Sequence, residues 1–334
     1  MKTSRILSIL MALVLCMCAL SAAFAEEAAT PKVGYCVNFM SHEWYQNICK
    51  GAEARAEELG IELLLADGNN DSATQISMCE NLLASDIDVL VVTPVDNQVL
   101  GSIITQASDA GIPVITESNI VDGATSFVGI DNTLSGKMAG LWLADYATEN
   151  GFVPNILIVG AFSLADCTMR VEGFKAGLEE SGIEYTIAQE VDGEALKETC
   201  VERATDALTA HPDVNVIFGI NDDSTTGAMQ AYKAAGLDES KLTAIGFGFE
   251  GAVGQQALLS DGPYKSALAM FPDYVGVALM DASLMAFNGE ELPEWYQTPT
   301  VMITADNFDT YYNEDGEGGY EIDFEAVRQL EETL

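Results

Sequence analysis

KVGYCVNFMSHEWYQNICKG, residues Lys32 to Gly51, is the stretch on which the fold turns. An apolar run, Val33 to Val37, ends at Asn38. The chain then passes through a short polar loop and enters a segment of helical spacing that opens with Trp44 and Tyr45. That order is a strand, a loop and a helix start. In an open α/β sheet, ligands bind in the crevice outside the carboxyl ends of the strands. Asn38, His42, Trp44 and Tyr45 therefore stand where a first βα loop would meet a small molecule.

The same alternation repeats outward from this unit every ~25–30 residues. Short apolar runs read as buried parallel strands at Val33–Asn38, Ile61–Ala66, Val89–Thr93, Val114–Thr116, Ile156–Gly160, Tyr185–Gln189, Val214–Gly219, Leu242–Phe247 and Ser266–Met270. Between them lie amphipathic stretches at Tyr45–Leu59, Thr74–Ala84, Asn97–Ala110, Leu134–Thr148, Arg170–Ser181, Leu196–Ala210 and Thr225–Ala235. Several close on a glycine (Gly60, Gly111, Gly182, Gly236), the usual C-terminal stop of a helix. Repeated βα units of this kind predict a doubly wound parallel sheet. They fall into two sets, one from Val33 to about Ile130 and one opening at Leu134, with no Pro/Ser-rich linker between them. From Ala305 to Leu334 the chain is acidic and shows no clear period. Asn313-Glu314-Asp315-Gly316 resembles part of a calcium loop, but its first and twelfth positions would be Tyr311 and Ile322, which offer no suitable oxygens.

The amino terminus reads as a secretory leader over residues 1–25. Lys2 and Arg5 form a basic start, Ile6 to Leu20 an apolar core, and Ala23-Phe24-Ala25 a small-x-small processing site. Cys16 and Cys18 raise lipidation, but Leu15 and Met17 precede them where a lipobox needs a small residue, so export without a lipid is expected. The remaining 309 residues suit two domains. Losing Lys2 and Arg5 takes the net charge from −38 to −40. Such a surface repels a phosphate backbone and excludes nucleic acid as a partner. Five cysteines remain: Cys36, Cys49, Cys79, Cys167 and Cys200. An odd number spread this widely is not a small-domain disulfide framework, although one bridge stays open. With no CxxC pair and two histidines, a zinc site is not expected.

In order along residues 32 to about 300 come VLVVTPVD (89–96), AGIPVIT (110–116), GIDN (129–132) with GKMAG (136–140), RVEGF (170–174), AHPDV (210–214), Asn221-Asp222, IGF (245–247) and Phe271-Pro272-Asp273. Collinear at this spacing, they resemble the type I periplasmic binding proteins of ABC importers, most of all the ribose-binding group. The last 30 residues match poorly. The resemblance implies two Rossmann-like doubly wound lobes joined by a three-crossover hinge. One lobe would comprise 31–130 plus 271–297, and the other 131–270 plus 298–334. It implies capture of a monosaccharide or sugar derivative for an ABC permease by a monomer in the cell envelope, without cofactor or catalysis. A ligand-presenting sensor working with a membrane kinase, or a nucleoside or polyol binder, would use the same fold.

The resemblance also carries ligand positions. Asn38, His42, Trp44 and Tyr45 stand where the family has polar residues and paired Phe rings; Thr93 stands for a ligand Asn, and Asn221 keeps one. The departures are as informative. The family's Asp-Arg pair is Ser118-Asn119 here, its second-lobe Arg is Thr168 with Arg170 nearby, its acid after Gly-Phe is Gly248 with Glu250 two residues on, and its Gln is Met270. Charge-assisted hydrogen bonds are the strong ones, and these positions have lost most of them. The expectation is an aromatic first-lobe wall facing a neutral polar, partly apolar second-lobe wall. Its ligand would be less polar than a free pentose, or read by different residues.

Two rival readings remain. Gly246-Phe-Gly-Phe-Glu-Gly251 is formally GxGxxG, the fingerprint of an exported NAD enzyme, but it sits in a late unit with Glu250 inside it. No GxSxG elbow is present, and two histidines leave little for a triad.

Overall fold

The computed structural model describes residues 30–316 and 318–333. The leader assigned to residues 1–25, with Cys16 and Cys18, lies outside the described residues. Strands follow in chain order as β1 (Lys32–Val37), β2 (Glu62–Asp67), β3 (Val89–Val92), β4 (Val114–Glu117), β5 (Ser126–Gly129), β6 (Asn155–Gly160) and β7 (Thr186–Asp192). Then come β8 (Val216–Gly219), β9 (Thr243–Gly248), β10 (Tyr264–Ala269), β11 (Trp295–Gln297) and β12 (Val301–Ile303). The helices between them are α1 (Glu43–Leu59), α2 (Ser72–Leu83), α3 (Gly101–Asp109), α4 (Asn132–Asn150), α5 (Ala165–Ser181), α6 (Lys197–Ala210), α7 (Asp222–Ala234), α8 (Ala252–Leu259) and α9 (Pro272–Phe287).

Two six-stranded sheets result, in the orders β11-β5-β4-β3-β1-β2 and β12-β10-β9-β8-β6-β7. The first is parallel throughout, with Val33 opposite both Leu63 and Val89. In the second only the edge pair β10–β12 is antiparallel. The chain passes between sheets three times: from β5 into α4, from β10 into α9, and from β11 to β12. This is the two-lobed, doubly wound architecture expected from the repeating βα units.

Each sheet is buried on both faces, which is why its strands read as continuous apolar runs rather than alternating ones. Val33, Tyr35 and Val91 pack under α1 and α9, while Cys36, Leu90 and Val92 pack under α2 and α3. In the second lobe Ile156, Ile158 and Phe218 meet α4 and α5, and Leu157, Val159 and Ile217 meet α6 and α7. Gly60 and Gly182 cap α1 and α5 in the left-handed conformation that glycine adopts at least cost. Where α1 crosses α9, a Cβ on Gly51 would run into the backbone carbonyl of Asp273, and one on Gly276 into that of Ile48. Only glycine lets the two backbones come so close.

The elements that sequence periodicity missed have physical reasons. β5, β11 and β12 are three or four residues long and draw their stability from neighbouring strands. α9 is apolar nearly all round because it is buried, so it has no amphipathic stripe. The described residues after Ala305 carry regular elements: α10 (Phe308–Tyr311), a hairpin of β13 (Tyr312–Glu314) and β14 (Tyr320–Ile322), and α11 (Phe324–Glu331). Phe308 and Tyr312 pack with Phe249, Phe271 and Tyr274 into one aromatic cluster. Phe308 and Tyr312 are four residues apart, but the helix that begins at Phe308 is a single turn, too short to show a period in the sequence. All five described cysteines are free and buried, so the bridge that the sequence left open is not formed. Among the described residues no helix is long and apolar enough to cross a membrane.

Candidate functional site

The carboxyl ends of both sheets face one cleft of about 440 Å³. A broader hollow of about 740 Å³ lies among Asn215, Thr243 and Lys265, beside the strand starts of the second sheet. Strand order reverses between β1 and β3 in one sheet and between β6 and β8 in the other, so the strand-exit cleft is where this topology places ligands. Several of its lining residues, Asn70, Ser118, Glu194 and Ala195, hold a positive φ without being glycine. Such strain, of order 1–3 kcal/mol per residue, gathers at ligand clamps and persists only where the surroundings over-determine it.

Of the residues singled out from sequence, Asn38, His42, Trp44, Tyr45, Ser118, Asn221, Glu250 and Met270 line the cleft. Trp44 is half-buried and packs against the cores of both lobes. Tyr45 receives a 2.9 Å hydrogen bond from the Asn38 side-chain amide. His42 is the N-cap of α1, its Nδ1 accepting from the backbone N–H of Trp44 at 3.1 Å. Burial lowers its pKa, with the Asp223 charge opposing, which suits a neutral acceptor imidazole. Asn221 likewise caps α7, accepting from the Ser224 N–H at 2.8 Å.

Thr93, Asn119, Thr168 and Gly248 are not among the lining residues. Thr93 is fully buried one layer behind, bonded to the Tyr35 hydroxyl and donating to Glu117 Oε2, each at 2.8 Å. The Asn119 backbone folds back on the Glu117 carbonyl at 2.7 Å. The Thr168 hydroxyl donates to the Leu164 carbonyl at 3.0 Å, a helix-internal bond. Gly248, at φ 92°, is the turn out of β9.

Charged groups that the sequence reading did not assign to the pocket complete it. Glu117, at the last position of β4, is 2 % exposed and accepts from the Thr93 and Ser118 hydroxyls at 2.8 and 2.7 Å. Burial pushes its carboxyl up to about 7, against the lowering effect of those hydroxyls. On the second lobe Arg170 donates to Asn132 Oδ1 at 2.9 Å, the Ile220 carbonyl at 3.0 Å and Asp166 at 3.2 Å. Its guanidinium lies 4.9 Å from the Phe247 ring centroid, within cation–π range. The second-lobe wall is therefore charged, not neutral: Asp166, Arg170 and Glu250 face the cleft beside the apolar Leu164 and Leu196. Two signals were available in the sequence: an acid at a strand end, and Asp166–Arg170 at helical i,i+4 spacing.

Beside the cleft a group of carboxylates straddles the lobes. Glu43 of α1 stands against Gly251, next to Asp222, Asp223 and Glu250. Asp222 is buried, takes a 2.6 Å hydrogen bond from the Tyr264 hydroxyl, and is pushed up to about 7 mainly by burial. Burial and the Asp222 charge push Glu250 up to about 8, with Arg170 opposing. These carboxylates surround the GxGxxG loop, where a pyrophosphate would meet like charge.

Comparison with known proteins agrees with this architecture. Residues 33–291 match the family model described as a periplasmic binding protein domain. The ribose import binding protein of Escherichia coli is 28 % identical over 288 residues, covering 85 % of this chain and 95 % of that protein. An ABC transporter solute-binding protein from Mycobacterium smegmatis with bound glycerol superposes at TM-score 0.76 with 26 % identity, over 86 % of this chain and 98 % of its own. Another Mycobacterium smegmatis structure, in complex with β-D-fucofuranose, superposes at 0.74 with 26 % identity, over 84 % and 93 %. With its two parallel-sheet lobes and the family match over most of its length, the chain belongs to the type I periplasmic binding proteins, in the sugar-binding, ribose-binding-protein-like group.

Proposed function

We propose that this protein is exported, captures a small sugar or sugar-like ligand between its lobes and delivers it to an ABC-type importer without transforming it. The observation that carries the reading is the cleft itself: the strand exits of both sheets converge on it, and Trp44 packs against both lobe cores at its edge. Aromatic faces against the C–H surface of a sugar ring add about 0.5–1.5 kcal/mol beyond area burial. Asn38, His42, Trp44, Tyr45, Ser118, Asn221, Glu250 and Met270 are the proposed contacts, with Glu117, Asp166 and Arg170 added. The two closing bodies are taken as 31–130 with 271–297 and 131–270 with 298–334. Hinge closure around the ligand then offers the permease a distinct form to recognise. The partner is read as a permease because the similar proteins named above include a ribose import protein and an ABC transporter component.

A thermal-shift screen of pentoses, hexoses, polyols, nucleosides and amino acids tests this. A ligand at about 100 times its Kd stabilises by about 2.7 kcal/mol. The expected result is a clear rise in Tm with one sugar-like class. A rise only with amino acids, or with none of these compounds, would overturn the reading.

A further inference from the structure

The cleft's polar groups are unevenly matched. Among the charged residues lining it, Glu117, Asp166, Glu194 and Glu250 are acids, and Arg170 is the sole cation. Arg170 is already engaged: its three nitrogens serve Asn132, the Ile220 carbonyl and Asp166, and one face lies on Phe247. Glu117 is in a different position. It is 2 % exposed, yet its side-chain donors are two neutral hydroxyls, and the charge acting on it from the opposite lobe is another carboxylate, Asp166. On the same first-lobe wall of the cleft, Asn38 spends its amide N–H on Tyr45 while its Oδ1 is buried with no hydrogen-bond partner. The two groups share Tyr45 as a neighbour, Asn38 through that hydrogen bond and Glu117 through its charge.

We infer that the ligand carries a cationic nitrogen, as an amino sugar or aminopolyol, with its ammonium seated between Glu117 and Asn38 beside the Tyr45 ring. The inference rests on the capture function proposed above. A buried carboxylate is costly unless paired, and a buried acceptor without a donor is costly too. An ammonium brings three N–H donors and no acceptor, whereas a hydroxyl brings one donor and turns lone pairs toward the same wall. Trp44 and Tyr45 add the aromatic faces on which a cation is favoured. Neutral ligands would leave Glu117 either charged and unpaired, or protonated. The titratable groups acting on or felt by Glu117 include Tyr35, Tyr45, Cys49 and, across the cleft, Asp166, while His42 and Glu250 line the same cleft and its cation, Arg170, is held in the ion pair with Asp166.

Isothermal titration with matched pairs tests the inference: glucosamine against glucose, galactosamine against galactose, and 1-amino-1-deoxysorbitol against sorbitol. The aminated member of at least one pair should bind about tenfold or more tightly than its neutral partner. N-acetylation should remove that advantage, a comparison that needs no variant. Glu117→Gln, if it keeps the wild-type melting curve, should also remove it. The aminopolyol stays charged over the range, so its affinity should fall as pH drops from about 8 to about 6 and Glu117 takes up a proton. A neutral member binding as tightly as its amine, or an amine advantage that survives Glu117→Gln or N-acetylation, overturns the inference and leaves sugar capture standing. If no member of any pair binds, the inference is overturned, and the wider thermal-shift screen decides sugar capture separately.

Discussion

The side-chain amide of Asn47, on the first helix of one lobe, donates a 2.7 Å hydrogen bond to the backbone carbonyl of Glu250 in the other. The two residues are 203 positions apart in the chain, and the bond exists only where the lobes meet.

Removing that bond should shift the molecule toward its open form. A typical net contribution is about 1 kcal/mol, so Asn47→Ala should weaken ligand affinity by about fivefold. It should also raise the radius of gyration of the ligand-bound protein in small-angle scattering. An affinity equal to wild type would show that the bond does not contribute to closure.

Trp44 reaches both lobe cores, so its truncation should cost more than a contact with the ligand alone. Trp44→Ala should lower affinity by about tenfold or more, equal to about 1.4 kcal/mol. Trp44→Phe, which keeps an aromatic face, should lose much less. Titration calorimetry on both variants checks this; equal affinities for Ala and Phe would remove Trp44 from the pocket.

The carboxylates between the lobes set a pH dependence whose sign is fixed. Asp222 and Glu250 are held up to about 7 and about 8, above their unfolded values near 4. The folded state therefore binds these protons more tightly. The stability they contribute is fully present below about pH 4 and is lost as pH rises through about 7 to 8. On this account unfolding free energy should fall by several kcal/mol between about pH 5 and pH 8. Asp222→Asn should flatten that slope. Chemical denaturation across the range reads it, and an unchanged slope in the variant would assign the dependence elsewhere.

The helix crossing at Gly51 and Gly276 gives a prediction about stability rather than binding. A methyl at 51 meets the Asp273 carbonyl, which belongs to backbone and cannot swing aside. Gly51→Ala should cost about 1–3 kcal/mol and lower Tm by several degrees, with ligand affinity per folded molecule nearly unchanged. A Tm equal to wild type would mean that α1 and α9 slide apart without penalty.

Much of this was legible in the chain. Val33 to Val37 followed by the Asn38 loop and Trp44-Tyr45 announced a strand, a loop and a helix start, and the structure places all three so, with the loop at the edge of the cleft. Those features are local: apolar period, glycine stops and capping residues act within a few positions of one another. β11 and the tail could not be read this way. Trp295–Gln297 is a strand because Phe127–Gly129 lies beside it, and Phe308 and Tyr312 are core because Phe249 and Phe271 come to meet them.

The cleft's charge divides in the same manner. Sequence alone determined that this is a repeating βα chain with an aromatic first loop and a strongly acidic surface, since periodicity and composition need no partner. Tertiary structure alone decided which acids matter. Thr93 was set behind the pocket rather than in it, Arg170 was taken up by Asp166 and Asn132, and Glu117 was left facing the cleft without a cation. Whether a charge is paired, and so what it costs and what it attracts, depends on groups brought together across tens or hundreds of residues.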